Sequence, residues 1–229
     1  PEIKFFFFKN SNTPEILDRG GYFDLTPLDV ASDLRRQIVL TLEEMGIGII
    51  SSHHEAANSQ HEIDLRHEDA LATADNIMTF KIIAKEISFL NGVYTSFMPK
   101  PLSNQNGSGM HTHQSLFKGE QNIFFDAKDP LHLSKTGKQY VAGILKHAPE
   151  FFAITNQWVN SYKRLQFGFE SPLHISWGTG GHTDLVRIPG CRADKPNSFR
   201  IELKNPDSSA NPYLMFSALI ASGLKGIEE

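Results

Sequence analysis

Short stretches of this chain alternate ionisable and apolar residues with a period of two, and that pattern constrains the fold more than any other feature. Glu2 and Lys4 alternate with Ile3 and Phe5, and His53 and Glu55 fall two residues apart. Glu62 lies between His61 and Ile63. His111 and His113 alternate with Met110, Thr112 and Gln114, and Arg200, Glu202 and Lys204 alternate with Phe199, Ile201 and Leu203. Side chains on a strand change faces at each residue, so i and i+2 point the same way. Ionisable groups seldom sit on a covered face unless they are paired or hold a metal. If these strands are neighbours, their polar faces form one wall carrying Glu2, Glu55, Glu62, Glu202 and His111. Hard carboxylate oxygens with one imidazole suit Mg2+ or Mn2+ rather than a thiolate zinc site.

Local periodicity supplies the rest of the outline. Residues 1–9 read as a strand and 10–26 as a loop. From Pro27, a helix is predicted by Leu34, Ile38, Leu42 and Met45, with Gly46 as its stop. Strands fit 47–55 and 60–65. A second long helix fits 68–91, with Leu71, Ala74, Ile77, Met78, Ile82, Ile83, Ile87 and Leu90 apolar and Gly92 ending it. Residues 93–98 and 109–117 read as strands around the loop PKPLSNQNGSG, and a third helix fits 134–156. A loop rich in polar and aromatic residues follows, then strands near 173–177, 184–188 and 198–204, and a last helix over 210–224. The mixed order, without a repeating βαβ unit, predicts an α+β fold: a largely antiparallel sheet with helices packed on one face. Phe5–Phe8 read as core strand packing. His53, His54, His61, His67 and His147 read as structural or surface residues rather than ligands.

Composition narrows the function classes. At 229 residues, 40% hydrophobic and 21% charged, the chain suits one large core and has no linker-like segment. A net charge of -4 gives no electrostatic case for nucleic acid or an anionic membrane. No apolar run reaches the roughly 20 residues that span a bilayer. The single cysteine, Cys191, excludes an internal disulfide and a cysteine-based zinc site and fits a reducing cytoplasm. The chain opens inside a strand pattern and closes on a helix pattern, so a piece of a longer protein is expected.

A set of segments then becomes recognisable: GGYFDLTPLD (20–29), SHHEAANSQHEID (52–64), TADNIMTFK (73–81), FMPKP (97–101), NGSGMHTHQSLF (106–117), VNSYKRL (159–165), GFESP (168–172), VRIP (186–189) and the run from Arg200 to Leu214. In content and order they resemble the catalytic domain of the glutamine synthetase family, over essentially the whole chain. The resemblance implies a curved, largely antiparallel sheet lining a funnel-shaped active site, with helices on its outer face. It implies a catalytic domain over residues 1–229, without the family's small β-rich N-terminal domain and C-terminal helices. The implied reaction joins ammonia to glutamate through γ-glutamyl phosphate, with ATP as the phosphoryl donor and Mg2+ or Mn2+ at up to two sites. The implied assembly is a homo-oligomer with active sites between subunits.

The same resemblance assigns roles residue by residue. Glu2, His111 and Glu202 match one metal site; Glu55 and Glu62 match the other. Asn106 and Gly107 match the glutamate-binding loop, and Arg164 a substrate-carboxylate contact. His113 and Ser115 match nucleotide contacts, and Arg187 and Arg200 phosphate-facing arginines. Glu170 matches a flap glutamate that helps form the ammonium site and shields the acyl phosphate. Three positions depart from the family pattern. Lys4 stands where the second metal site has an acid, His182 where an arginine contacts phosphate, and Lys204 where an arginine contacts substrate. These departures keep two alternatives open beside glutamine synthesis: a γ-glutamyl ligase for another amine, and a non-catalytic relative with an impaired metal site.

Overall fold

The computed structural model describes residues 1–181 and 183–229. Its first strand, β1 (Glu2–Phe8), runs through the middle of the main sheet. Ile3, Phe5 and Phe7 alternate onto the core face and are fully buried. Glu2 and Lys4 leave from the opposite face, which turns apolar again at Phe6 and Phe8; these two pack with Ala57 in a second, smaller cluster. The phenylalanine run is thus covered on both faces, as a central strand requires.

Helix α1 (Ser32–Glu44) buries Leu34, Ile38 and Leu42. It starts later than the periodicity predicts. Residues 25–29 instead form turns, held where Asp29 pairs with Arg35 of the helix at 2.7 Å, and Met45 is exposed at the C-cap. Strands β2 (Ile49–His54) and β3 (Gln60–Leu65) form a hairpin. Helix α2 (Ala70–Leu90) opens on Asp69, whose carboxylate accepts the Leu71 and Ala72 N–H groups at 3.0 Å. It buries Thr73, Ala74, Ile77, Phe80, Ala84 and Ser88. Leu71, Ile82 and Leu90 of the predicted stripe are 66%, 57% and 79% exposed. The helix is apolar on two sides, so periodicity did not determine which side meets the sheet.

Strand β4 (Tyr94–Ser96) pairs with the second half of β1, and β5 (Met110–Gln114) with its first residues. A small hairpin, β6 (Phe117–Lys118) and β7 (Gln121–Asn122), precedes helix α3 (Lys135–Thr155). The following segment, where the sequence pattern predicts a loop, contains the short helix α4 (Val159–Arg164). Strands β8 (His174–Gly178), β9 (Asp184–Arg187) and β10 (Ile201–Leu203) complete the sheet, and α5 (Pro212–Glu228) packs against α3. The α3–α5 contact is close enough that a Cβ on Gly143 would lie 2.7 Å from the Gly226 nitrogen. Among the described residues, no helix is long and apolar enough to cross a membrane.

The sheet order is β2-β3-β1-β5-β10-β9-β8, antiparallel except between β8 and β9. This order positions the site. β1 lies between β3 and β5, so Glu2 and Lys4 face acids and histidines on both sides.

Candidate active site

Register turns the alternating strands into one polar wall. Glu2 is the cross-strand partner of His111, and Glu202 is the partner of both His113 and Arg187. Adjacent strands bring such partners within side-chain reach. His111 Nδ1 lies 2.9 Å from Glu2 Oε2 and 3.1 Å from Glu202 Oε1, so three strands converge on one point. The remaining oxygens are oriented from outside. His113 Nε2 donates to Glu2 Oε1 at 2.7 Å, and Arg200 Nε donates to His113 Nδ1 at 3.1 Å, which fixes the His113 tautomer. Arg187 Nε donates to Glu202 Oε2. Burial pushes the Glu2 carboxyl up, but the His111 and His113 hydrogen bonds outweigh it and hold it well below the usual carboxylate range. At Glu202, burial is likewise outweighed by the His111 hydrogen bond and charge, which bring the carboxyl down to about 2.

A second cluster lies across β2, β3 and β1. His53 and Lys4 are both cross-strand partners of Glu62. Lys4 Nζ stands between two buried acids, 3.1 Å from Glu55 Oε1 and 3.3 Å from Glu62 Oε2. Glu55 also accepts from His53 Nε2 at 3.3 Å and from the Ala56 N–H at 3.0 Å. Glu62 Oε2 is buried and, apart from its proximity to Lys4, accepts no hydrogen bond among the described residues. Burial pushes the Glu62 carboxyl up against the opposing charge of Lys4, and the Asp64, Glu55 and Glu2 charges add to the rise. Glu55 moves down, because the His53 hydrogen bond and the Lys4 charge outweigh its burial. Lys4 loses affinity for its proton through burial but regains more from Glu62 and Glu55, and stays charged.

Behind this cluster runs a buried network that no periodicity in the sequence marks. His54 Nδ1 bonds the Glu55 carbonyl at 2.7 Å and its Nε2 bonds Asp18 Oδ1 at 2.8 Å. Arg35 pairs with Asp29 at 2.7 Å and donates to His61 Nδ1 at 2.9 Å. His53, His54 and His61 are therefore buried positioning groups, and His53 reaches a candidate ligand directly. The i, i+2 spacing of His53 and Glu55 was the one signal for it. His67 is exposed, and His147 is partly buried on α3 beside Glu150.

The other candidate residues surround the wall. The loop over residues 106–109 touches both β1, where Gly109 O accepts the Lys4 N–H at 3.1 Å, and Arg164 at the end of α4. A Cβ on Gly107 would meet Pro99 O and lie 2.6 Å from Arg164 Cγ, so only glycine fits there. Arg164 is buried and turns Nη2 to the carbonyls of Lys204, Asn205 and Pro206, while its Nε has no partner among the described residues. Burial brings Arg164 down to about 10, against the pull of Asp207. Lys204 Nζ donates to Gly181 O at 2.6 Å, and burial lowers it despite Glu202. Ser115 Oγ donates to Phe199 O at 2.8 Å. Glu170 is exposed in the segment after α4. His182 lies outside the described residues. Next to Glu2 opens a cavity of about 940 Å³, lined in part by His113, Ser115, Ser198, Arg200 and Phe216.

A family profile described as "Glutamine synthetase, catalytic domain" matches residues 1–229. The chain belongs to the glutamine synthetase family. Glutamine synthetases of Mycolicibacterium smegmatis and Methanosarcina mazei are 52% and 53% identical to it over 233 and 232 residues, each across 100% of this chain. These alignments cover 52% and 51% of the two relatives, so the chain spans about half their length. The cryo-EM structure of Plasmodium falciparum glutamine synthetase matches with a TM-score of 0.93 at 32% identity, over 99% of this chain and 50% of that one. The predicted α+β fold is the fold of that structure.

The glutamine synthetase resemblance implies a divalent ion at each of the two clusters, and their donor sets respond differently. Glu2 Oε2, His111 Nδ1 and Glu202 Oε1 converge, with Glu2 and His111 partly accessible and Glu202 buried, and second partners hold both carboxylates; this is a set that fits Mg2+ or Mn2+. At Glu55 and Glu62 the donors fit but the space between them holds Lys4 Nζ. With the ammonium there, no room is left for a divalent ion between the facing oxygens of Glu55 and Glu62.

Proposed function

We propose that the full-length protein containing this chain makes glutamine from glutamate, ammonia and ATP. The observation that carries this reading is the convergence of Glu2, His111 and Glu202 from three strands, 2.9 and 3.1 Å apart, beside a cavity of about 940 Å³ in a glutamine synthetase catalytic fold. Glu2, His111 and Glu202 hold Mg2+ or Mn2+, which supplies positive charge to phosphoryl oxygens when bound. ATP lies in the neighbouring cavity, with His113 and Ser115 on its wall. Arg187 and Arg200 flank the ligand carboxylates and add fixed positive charge where phosphate charge spreads. Asn106 and Gly107 seat glutamate. Arg164, buried beneath them, braces the Lys204–Pro206 carbonyls and so sets that seat. Lys204 keeps a charge near the substrate but lacks the two-pronged geometry of arginine.

Chemistry follows in two balanced steps. A γ-carboxylate oxygen of glutamate attacks the terminal phosphorus of ATP, and ADP leaves. Ammonium gives up one proton, with Glu170 as its proposed acceptor; the nitrogen then attacks the γ-carbonyl carbon, the carbon–oxygen bond to phosphate breaks, and the second proton lost from nitrogen leaves on the inorganic phosphate. Residues 1–229 act as the catalytic domain of a cytoplasmic homo-oligomer whose sites lie between subunits. The test is a coupled assay on the full-length protein, with phosphate release and glutamine both quantified. Ammonia-dependent glutamine formation supports the reading. Product formation only with other amines, or none with any amine, replaces it with one of the two alternatives named above.

A further inference from the structure

Lys4 occupies a place of unusual chemistry. Its ammonium lies 3.1 Å from Glu55 Oε1 and 3.3 Å from Glu62 Oε2, both acids being almost fully buried. Its main chain is anchored on both sides: the N–H donates to Gly109 O at 3.1 Å, and the carbonyl accepts from Ser208 Oγ at 2.6 Å. β1 is held between β3 and β5 at this point, with Lys4 in register with Glu62. The side chain therefore leaves a rigid strand and ends between the two carboxylates. Two facing carboxylates, one with an otherwise unpartnered oxygen, form a hard-cation donor set. A divalent ion bound there at its usual oxygen distance of about 2.0–2.2 Å would collide with Nζ and meet a like charge.

We propose that Lys4 is a built-in cation standing in for a second divalent ion, so that each chain holds a single divalent ion, at Glu2, His111 and Glu202. The inference rests on the functional reading only in taking that second cluster as a divalent-ion seat. His53 Nε2 converges on the same Glu55 Oε1 that Lys4 meets, at 3.3 Å, while the Ala56 N–H holds Oε2 at 3.0 Å, so the Glu55 carboxylate is fully engaged without an added ion. The wall keeps positive charge at two positions while drawing only one from solution.

The test is a count of bound Mn2+ per chain in the full-length protein, by equilibrium dialysis with electron paramagnetic resonance of free Mn2+. Wild type is expected to bind one ion. Lys4→Glu supplies a third acid and is expected to bind one ion more. Lys4→Ala, which only empties the space, is expected to bind that extra ion at least about tenfold more weakly than Lys4→Glu, a difference of about 1.4 kcal/mol. Thermal melts give a second readout: Mn2+ is expected to raise the Tm of Lys4→Glu more than that of wild type. A wild-type count of two overturns the proposal without any variant. So does an unchanged count in both variants. A wild-type count of zero also overturns it, because Glu2, His111 and Glu202 would then hold no ion. Glutamine formation is scored separately. One Mn2+ without glutamine leaves this proposal standing and defeats the functional reading; two Mn2+ with glutamine does the reverse.

Discussion

Two cation stations stand side by side on one sheet, and they differ in who supplies the cation. At Glu2, His111 and Glu202 the carboxylates converge on an imidazole and are positioned from behind by His113, Arg200 and Arg187. At Glu55 and Glu62 the acids converge on the ammonium of Lys4. The same strand provides both arrangements, since Glu2 and Lys4 are two residues apart on β1. On the proposed reading, the residue type at one strand position decides whether a buried acid pair recruits a cation from solution or already contains one. The difference also bears on stability. The carboxylate oxygens of Glu2 and Glu202 are all partnered by His111, His113 and Arg187, whereas Glu62 Oε2 is buried with only the Lys4 ammonium near it.

The largest expected effect breaks the closed station. Lys4→Met leaves Glu55 and Glu62 facing each other in a buried site. Removing one member of a buried ion pair costs about 3–5 kcal/mol, and the lower end is expected here because Glu62 is already biased toward its protonated form. Urea unfolding at pH 7 measures it; a loss under about 1 kcal/mol would mean that the pair behaves like a surface bridge. Next comes the open station. Glu202→Gln removes a ligand oxygen's charge and the partner of Arg187, and glutamine formation by the full-length protein is expected to drop on the order of 10²–10³-fold, as when a preorganised electrostatic group is lost. Its unfolding midpoint should move less than that of Lys4→Met. The reverse ranking would dissolve the distinction between the two stations.

How much of this was legible beforehand depended on the range of the interaction. The polar wall followed from i, i+2 spacing, because strand geometry carries one face through several residues. Pairing partners such as Glu2–His111 and Lys4–Glu62 needed only strand adjacency. The face of α2 did not follow, since the helix is apolar on two sides. Helix α4 was hidden in a polar segment, and it is held by its own local cap, with the Trp158 N–H donating to Ser161 Oγ at 3.2 Å. The network from Asp18 to His54 was illegible for a different reason: it joins residues from a loop and a strand far apart in sequence, and no periodicity marks it. The character of Lys4 was visible as a departure from the family pattern, and its place at a metal position implied an amine close to Glu55 and Glu62, where the structure has it.

Smaller effects sharpen the contrast. His113→Ala removes the link from Arg200 to Glu2, and Mn2+ affinity is expected to fall about 10–100-fold, the usual cost of losing a supporting partner of a metal ligand. Isothermal titration measures it. An equal fall in His53→Ala would argue that the closed station also binds an ion. The smallest effect tests the network behind Glu55. Burial raises the Asp18 carboxyl, but the His54 hydrogen bond and charge, with the Ser59 and Gly20 N–H groups, hold it below its ordinary value of 3.8. In the unfolded chain it therefore takes up a proton first as the pH falls. Its contribution is present above pH 3.8 and is lost as the pH drops through the lower folded value. Asp18→Asn should flatten the acid limb of stability and cost about 1–3 kcal/mol near neutrality through the unpaired His54. An unchanged acid limb would show that other carboxylates set it.

The most direct measurement is the position of bound Mn2+ in crystals of the full-length protein, read from anomalous scattering. One peak is expected in the wall, among Glu2, His111 and Glu202, with Lys4 still between Glu55 and Glu62. A peak of equal or greater occupancy between Glu55 and Glu62, with the lysine turned away, would contradict it.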